Sequence, residues 1–366
     1  MRSENIKYLP AVDHLRAFAA MLILVYHGVG ALTSKIVYSD GNPLDHWVFT
    51  SNPLYSVIIE GHTAVGLFMV LSGFIFTYGA FNREISYSSF IRNRFLRIFP
   101  LFIFLTVVGS YIYQGNYNFL SMLQSVFLFS SLPGSLNIGS FSAMFWSISV
   151  EFMFYLIFPF LLTIFQRHGT GKLLQILLIM IIFKIIAFLL GANIRDVSYW
   201  TIVGRLDQFI LGMIAAKIFI KCDLNKIKWV FILASSFIAI VLMHFILNKL
   251  GGWPVVAFWK VFWPSIEGSV WSIFLISYVK LFRENKNFLQ RALSKIGEMS
   301  FSIYLIHYIV LVIIRDHGWF FNFVNLSPLK NSLISSIIII MPIVFIISVL
   351  TYNNIEKPFL QLRKRY

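Results

Sequence analysis

Charge is scarce in this chain. Asp, Glu, Lys and Arg make up 12% of its 366 residues, against about 25% in ordinary soluble domains. Hydrophobic residues make up 58% and aromatics 17%. That balance excludes a water-soluble globular protein and excludes disorder. Cysteine is nearly absent. Cys222 is the single one, so no disulfide forms within the chain. No Gly-rich phosphate loop is found. No His-x-x-x-His pair shares a helix and thiolate ligands are lacking, so no metal site is expected. A fixed-period repeat and a Pro/Ser-rich linker are missing too.

What remains is a series of apolar runs, each about 20 residues long, the length that crosses a bilayer as a helix. Ten spans are read: 10–31, 57–81, 96–114, 145–166, 173–191, 200–216, 229–247, 255–279, 299–314 and 331–352. A further apolar stretch, 118–132, reads as a short helix lying on or dipping into the outer face. The fold class expected is an all-α integral membrane protein with about ten transmembrane helices and a central pore-like active site. One domain over 1–366, with no fused soluble domain, is expected. The first run carries Asp13, His14 and Arg16, which argues against a cleavable signal peptide.

The net charge of +15 is explained by where the cations sit. Ten spans put both termini on one side. That side collects 21 of the 30 Lys and Arg residues, the other side 5, and 4 lie within spans. The positive-inside rule then places both termini in the cytoplasm. The basic excess is an orientation signal and implies no nucleic-acid partner; the lipid bilayer is the expected surrounding.

Ionisable residues inside spans are costly unless they face protein or water, so each is a candidate site. On helix 1, Arg16 and His27 lie 11 residues apart. This is close to three whole turns, so both leave one stripe, about 16 Å apart along the axis. Arg16 sits near the cytoplasmic end and His27 sits deep. Two readings stand: residues of a functional site, or an interhelical hydrogen-bonding histidine with a snorkelling arginine. Helix 3 opens with Arg94-Phe-Leu-Arg97 and has Pro100 in its first turns. Spacing of three puts both guanidiniums on one face at the cytoplasmic surface, suited to phosphate or to lipid headgroups. On helix 4, Ser147 and Glu151 share a face near its outer end. Glu151 either orients His27, binds a sugar hydroxyl, or serves the helix N-terminus.

Other positions read more blandly. Glu60 and His62 close the outer end of helix 2, while Ser72 and Gly73 suit packing. Arg205 and Asp207 read as a mutually compensating pair or as pocket lining. His307 reads as a pocket or packing hydrogen bonder, not a second base. Glu356 has the depth to hold a cytoplasmic arginine, and Pro358 is expected to stop the last helix.

Taken in order, these motifs resemble the membrane-bound acyltransferase family 3. The match rests on Asp13-His-Leu-Arg16 with His27, Phe68-Met-Val-Leu-Ser72-Gly73-Phe74, and Arg94-x-x-Arg97-x-x-Pro100. It continues through Trp146-Ser147-x-x-x-Glu151-x-x-x-Tyr155, Ser302-x-Tyr304-Leu-x-His307 and Glu356-Lys-Pro358, and covers about residues 8–359. The resemblance implies transfer of an acyl group, usually acetyl, from cytoplasmic acyl-CoA to a hydroxyl of a cell-surface carbohydrate or lipid-linked sugar. It implies His27 and Glu151 as catalytic residues, Arg16, Arg94 and Arg97 as donor-binding residues, and Asp13, Ser147, His307 and Glu356 in support. Acyl-CoA, in the first place acetyl-CoA, is a cosubstrate, and no bound cofactor is expected. The implied location is the cell (inner) membrane, and the implied form is the stand-alone one. Two rival readings are a transporter, which would show inverted repeats or broken helices in matching halves, and a non-catalytic sensor or assembly factor on the same scaffold.

Overall fold

The computed structural model describes residues 8–42, 44–114, 118–126, 134–284 and 287–364. They form helices and no strand. In chain order these are α1 (Pro10–Tyr38), α2 (Pro53–Ile59), α3 (Ala64–Ala80), α4 (Tyr87–Ile112), α5 (Phe119–Val126), α6 (Phe145–His168) and α7 (Thr170–Leu189). They continue with α8 (Ile194–Trp200), α9 (Ile202–Lys221), α10 (Lys226–Lys249), α11 (Trp263–Leu281), α12 (Phe288–Glu298), α13 (Ser300–Asp316) and a last run, α14 (Pro328–Leu360), containing two π turns.

Seven of these helices have the length and hydropathy of a membrane span, and eight do if the bent pair α12–α13 counts as one. The helices α9 and α11 have 20 and 19 residues but are not among them. The reason is local: they carry Arg205, Asp207, Gln208 and Glu267, all buried against other helices. Each helix nevertheless runs beside α3 in the same direction. Tyr78 of α3 meets Phe219 of α9, and Gly66 at the other end faces Gln208.

The centre and the rim of the bundle differ as a bilayer requires. Most of α1, α3 and α6 is buried. The helices α7 and α10 instead present apolar side chains outward, among them Leu178, Ile182, Phe183, Phe231 and Ile238. Such a surface is stable only in lipid. Within the centre, α3 and α9 touch backbone to backbone. A Cβ at Gly73 would lie 2.1 Å from the Phe209 carbonyl oxygen, and one at Gly212 2.2 Å from that of Val70. Small residues at a helix crossing are what allow dispersion packing in membranes, so the packing role expected of Gly73 holds.

The structure departs from expectation at several ends. The helix α4 begins at Tyr87, capped by Ser86, so Pro100 is mid-helix and not in the first turns. The polar stretch 87–95 continues the helix beyond the apolar run, which hydropathy alone does not register. The final helix passes Pro358 and ends at Leu360, preceded by a π turn over Tyr352–Glu356. A π turn shifts the hydrogen-bond register, so the missing proline N–H is tolerated. The loop 280–296 contains α12, an amphipathic helix bent 72° from α13. The stretch 118–132 yields α5 over Phe119–Val126, and its remainder, 127–132, lies outside the described residues.

Candidate active site

One deep pocket opens at the end of the bundle where the two chain ends meet. Tyr8 and Leu9 line it from one end of the chain, Leu360 and Arg363 from the other. Around the mouth stand Arg16, Arg94 and Arg97, delivered by α1 and α4. The pocket then runs inward past Ser72, Glu151 and Tyr155 to Phe68, Ser147 and Tyr304.

The three arginines have different surroundings. Arg16 Nη1 donates to Asp13 Oδ1 at 2.9 Å, one turn away on the same face, and keeps about a third of its side chain exposed. Arg94 is caged by aromatic rings, its guanidinium carbon 4.7 Å from the centre of Phe76 and 5.8 Å from that of Tyr155. Its Nε has no partner among the described residues. Arg97 is held by a carboxylate: Nη1 donates to Glu356 Oε2 at 2.8 Å. Glu356 also accepts from Ser302 Oγ, so its two oxygens are used by two helices. The expectation that Glu356 holds a cytoplasmic-side arginine is met by Arg97. Within the pair, Arg94 is therefore the cation with hydrogen-bonding capacity to spare.

Glu151 lies further in. Its Oε1 accepts from Ser72 Oγ at 2.8 Å and from the Tyr155 hydroxyl one turn along α6. It makes no cap at the start of α6. Nor is it the hydrogen-bond partner of His27, which corrects one expected role. Sequence gives depth along a helix but not the relative offset of two helices, and these two do not bring the groups together. Ser72, read as packing, proves to be the link between α3 and this carboxylate. Ser147 Oγ sits 2.7 Å from the Tyr304 hydroxyl, joining α6 to α13 at the inner end.

His27 lies beyond Tyr304 and pairs with His307. His27 Nδ1 and His307 Nε2 are 3.0 Å apart. His307 Nδ1 is 3.2 Å from the Ile303 carbonyl, which only accepts, so that nitrogen carries the proton. A neutral His307 then has a bare Nε2 and receives the Nδ1–H of His27. By this assignment from the network, His27 keeps its Nε2 lone pair free. Tyr26 and Tyr308 flank the ring at 4.7 and 5.4 Å. Thus His307 is not a mere lining residue: it fixes the tautomer of its neighbour.

The expected Arg205–Asp207 pair is not formed. Residues two apart point to opposite sides of a helix. Arg205 accordingly reaches Glu267 of α11 at 3.4 Å, and Asp207 reaches Lys184 of α7 at 3.0 Å. The sequence signal for Tyr155 and Tyr304 is their four-residue and three-residue spacing to Glu151 and His307, which puts each pair on a shared face.

These features define an all-helical membrane protein with a cation-rimmed, polar-floored pocket buried among its helices. The chain belongs to acyltransferase family 3: the acyltransferase domain of that family matches residues 9–353. It is similar to the O-acetyltransferase OatA of Staphylococcus aureus (strain NCTC 8325 / PS 47), 25% identical over 356 residues, covering 85% of this chain and 52% of that protein. It is also similar to acyltransferase MdmB of Streptomyces mycarofaciens, 30% identical over 165 residues, covering 41% and 38%. Nodulation protein 10 of Rhizobium leguminosarum bv. viciae is 29% identical over 177 residues, covering 42% and 44%. The chain thus spans about half the length of the first of these relatives. No solved structure matches.

Proposed function

We propose that the protein moves an acetyl or other short acyl group from cytoplasmic acyl-CoA to a hydroxyl of a cell-surface carbohydrate, and that it does so in the inner membrane with both termini cytoplasmic. The observation that carries this reading is the order of groups along the bundle. Arginines rim the open end of the pocket, Tyr304 stands at its inner end, and the His27–His307 pair with one free imidazole nitrogen lies behind Tyr304, whose ring is 5.8 Å from that of His307. In this reading the anionic nucleotide of the donor rests on Arg94 and Arg16, where charge-assisted hydrogen bonds are strongest. Arg97, already balanced by Glu356, shapes the mouth. The pantetheine arm extends past Glu151 and Tyr155 toward Tyr304.

The thioester then lies near His27. Its free Nε2 accepts the proton of the acceptor hydroxyl as the oxygen attacks the thioester carbon; as the C–S bond breaks, the imidazolium returns that proton to sulfur, and CoA leaves as the thiol. An imidazole is the side chain whose ordinary pKa, about 6.5, suits proton acceptance near neutrality. His307 then holds the Nδ1–H side of the ring throughout, the orienting role a third group plays in catalytic triads. Glu151 orders the Ser72 and Tyr155 hydroxyls around the acyl arm. The bundle of buried, hydrogen-bonded polar groups also suits a transporter, but that reading leaves the single free imidazole nitrogen without a task.

The test is direct. Purified protein in nanodiscs is given radiolabelled acetyl-CoA with and without a carbohydrate acceptor. Release of CoA together with label on the carbohydrate supports the reading. Binding of acetyl-CoA with neither hydrolysis nor transfer, under any acceptor tried from the cell's own surface glycans, sinks it.

A further inference from the structure

Inward of its arginine rim, the pocket is lined by four hydroxyl-bearing residues: Ser72 on α3, Tyr155 and Ser147 on α6, and Tyr304 on α13. Ser300 also lines it, one turn of α13 nearer the mouth than Tyr304. The four inner hydroxyls differ in how freely they can be redirected. Ser72 and Tyr155 both donate to Glu151 Oε1. Turning either away takes a donor from a carboxylate, which is costly in a buried setting.

Ser147 and Tyr304 are bonded in another way. Ser147 Oγ lies 2.7 Å from the Tyr304 hydroxyl and 3.1 Å from the Met144 carbonyl. A carbonyl only accepts, so Ser147 donates to Met144 and Tyr304 donates to Ser147; this direction is assigned from the network. Met144 is the N-cap of α6, a position whose carbonyl also accepts the first backbone bond of the helix. Ser147 can therefore turn its hydrogen to the Tyr304 oxygen without stranding that carbonyl. The exchange releases the Tyr304 hydrogen for a new acceptor. Among the described residues, the Tyr304 hydroxyl has Ser147 as its partner and no carboxylate. Glu151 stands one turn of α6 nearer the mouth, where two hydroxyls hold its Oε1.

The place of Tyr304 decides what that acceptor is. Its ring is 5.8 Å from that of His307, which is 5.1 Å from that of His27, and the edge-on Phe68 ring is 6.1 Å away. In the acyl-transfer reading, a thioester carried to the inner end of the pocket arrives between the Tyr304 hydroxyl and the histidine pair. Attack by a hydroxyl pushes an electron pair onto the thioester carbonyl oxygen, and that oxyanion needs a fixed donor where water is excluded. Backbone N–H groups within membrane helices are spent on their own carbonyls. The donor must then be a side chain, and Tyr304 is the one with a hydrogen to give.

We propose that Tyr304 is a catalytic residue whose hydroxyl, released by the turn of Ser147, donates to the thioester carbonyl oxygen and stabilises the oxyanion formed there. As the C–S bond breaks, the electron pair on that oxygen returns to re-form the carbonyl of the product ester. The hydrogen stays on Tyr304 throughout, and His27 alone moves a proton. The role rests on the acyl-transfer reading of the same pocket.

The experiment uses the whole protein in phosphatidylcholine nanodiscs with acetyl-CoA isotope-labelled at its carbonyl carbon. Infrared difference spectra follow the carbonyl stretch, which falls in frequency when the oxygen accepts a hydrogen bond. Thiol release is followed in parallel, with the cell's own surface glycans as acceptor. Bound to the wild type, the carbonyl is expected to absorb below its frequency in free acetyl-CoA. In Tyr304→Phe it should move back toward the free value. That variant should lose about 10²–10³-fold in kcat, the usual cost of one oxyanion donor, with KM for acetyl-CoA changed by less than about twofold. Ser147→Ala leaves the Tyr304 hydroxyl free to donate, so it should keep the carbonyl shift and lose less than about tenfold in kcat.

An unshifted carbonyl in the bound wild type overturns the proposal even if neither variant folds. A shift that survives in Tyr304→Phe overturns it too. Equal losses in the two variants reduce Tyr304 to a bridge between α6 and α13, and also overturn it. Transfer with an unshifted carbonyl removes the role of Tyr304 and keeps the acyl-transfer reading. A shift that depends on Tyr304 with no thiol release removes the acyl-transfer reading, and the catalytic role with it. No binding of acetyl-CoA removes both.

Discussion

His27 and His307 meet at 3.0 Å although 280 residues separate them in the chain. The contact joins the first long helix to α13 and fixes how the first ring is protonated. Because His307 gives its Nδ1–H to the Ile303 carbonyl, it can only accept from His27 while both are neutral. One imidazole orients, and the other is left with a free nitrogen.

The first prediction follows from that division. His27→Ala is expected to lower acyl transfer by about 10²-fold or more, the usual size of a general-base contribution, with donor binding retained. His307→Ala should lower it less, since the base survives with its ring unanchored. His307→Gln should recover part of the loss, because an amide oxygen can accept the same Nδ1–H. The measurement is single-turnover transfer in nanodiscs, normalised to folded protein. Near-normal turnover in His27→Ala ends the assignment, and an inactive His307→Ala with intact donor binding moves the base to α13.

The second prediction separates two arginines that spacing alone makes equivalent. Arg94→Ala should weaken acyl-CoA binding by about 1.5–3 kcal/mol, the range for a hydrogen bond to a charged group, with little effect on melting. Arg97→Ala leaves Glu356 fully buried without its cation. Breaking a buried pair costs about 3–5 kcal/mol, and Arg97 keeps 19% exposure, so the lower end is expected. Glu356→Gln in the Arg97→Ala background should restore most of that loss. Acyl-CoA titration and thermal melting of the four proteins decide it. Equal losses of affinity in the two arginine variants, with unchanged melting in both, would return them to a single role.

Much of this was legible in the chain. Apolar runs located α1, α6, α7, α10, α13 and α14 to within a few residues at their starts, because lipid imposes a length that composition must meet. The Arg16–His27 stripe and the depth of Glu356 were also readable, since helical periodicity fixes both. What was not readable is azimuth and pairing between helices. Nothing local in Ser72-Gly73 says that the serine meets Glu151 while the glycine meets Phe209. The same limit hides the His27–His307 pair and the separate partners of Arg205 and Asp207, although Arg205 does line a pocket as expected. The amphipathic α12 is hidden for another reason: its charged face, with Arg291 and Lys295, keeps it out of the apolar runs.

The third prediction concerns Lys184 and Asp207. Both are fully buried and joined at 3.0 Å, with Ser265 Oγ donating to the same carboxylate oxygen. This ion pair ties the lipid-facing α7 to the core. Lys184→Met should destabilise by about 3–5 kcal/mol, because Asp207 is then a buried charge with no counter-ion. Lys184→Met with Asp207→Asn should melt close to the wild type, since both charges are gone and Ser265 can still bond the amide. A double variant no better than the single one would show that the pair is not what holds α7.

The fourth prediction is the number of crossings. Tyr8 and Arg363 line one pocket mouth, so the chain begins and ends on one side and the count must be even. Seven spans are excluded by that parity, while eight and ten satisfy it. They differ in whether α9 and α11 cross. Both run alongside α3 in its direction: Gln208 and Phe219 of α9 face Gly66 and Tyr78, and in α11 Ser265 meets Asp207 while Lys280 reaches the Cys222 carbonyl. A helix that stays level with a spanning helix along its whole length spans too, and their polar residues are paired inward where lipid does not reach them. Ten crossings are therefore expected. Reporter fusions at 223, in the turn between α9 and α10, and at 257, between α10 and α11, should fall on opposite sides. The first should share the side of a fusion at Tyr366. Ten spans give the 223 fusion the cytoplasmic signal of the C-terminus, whereas eight spans, with α9 and α11 lying on the surface, place it outside and the 257 fusion inside. That reversed pattern would remove the ten-span architecture.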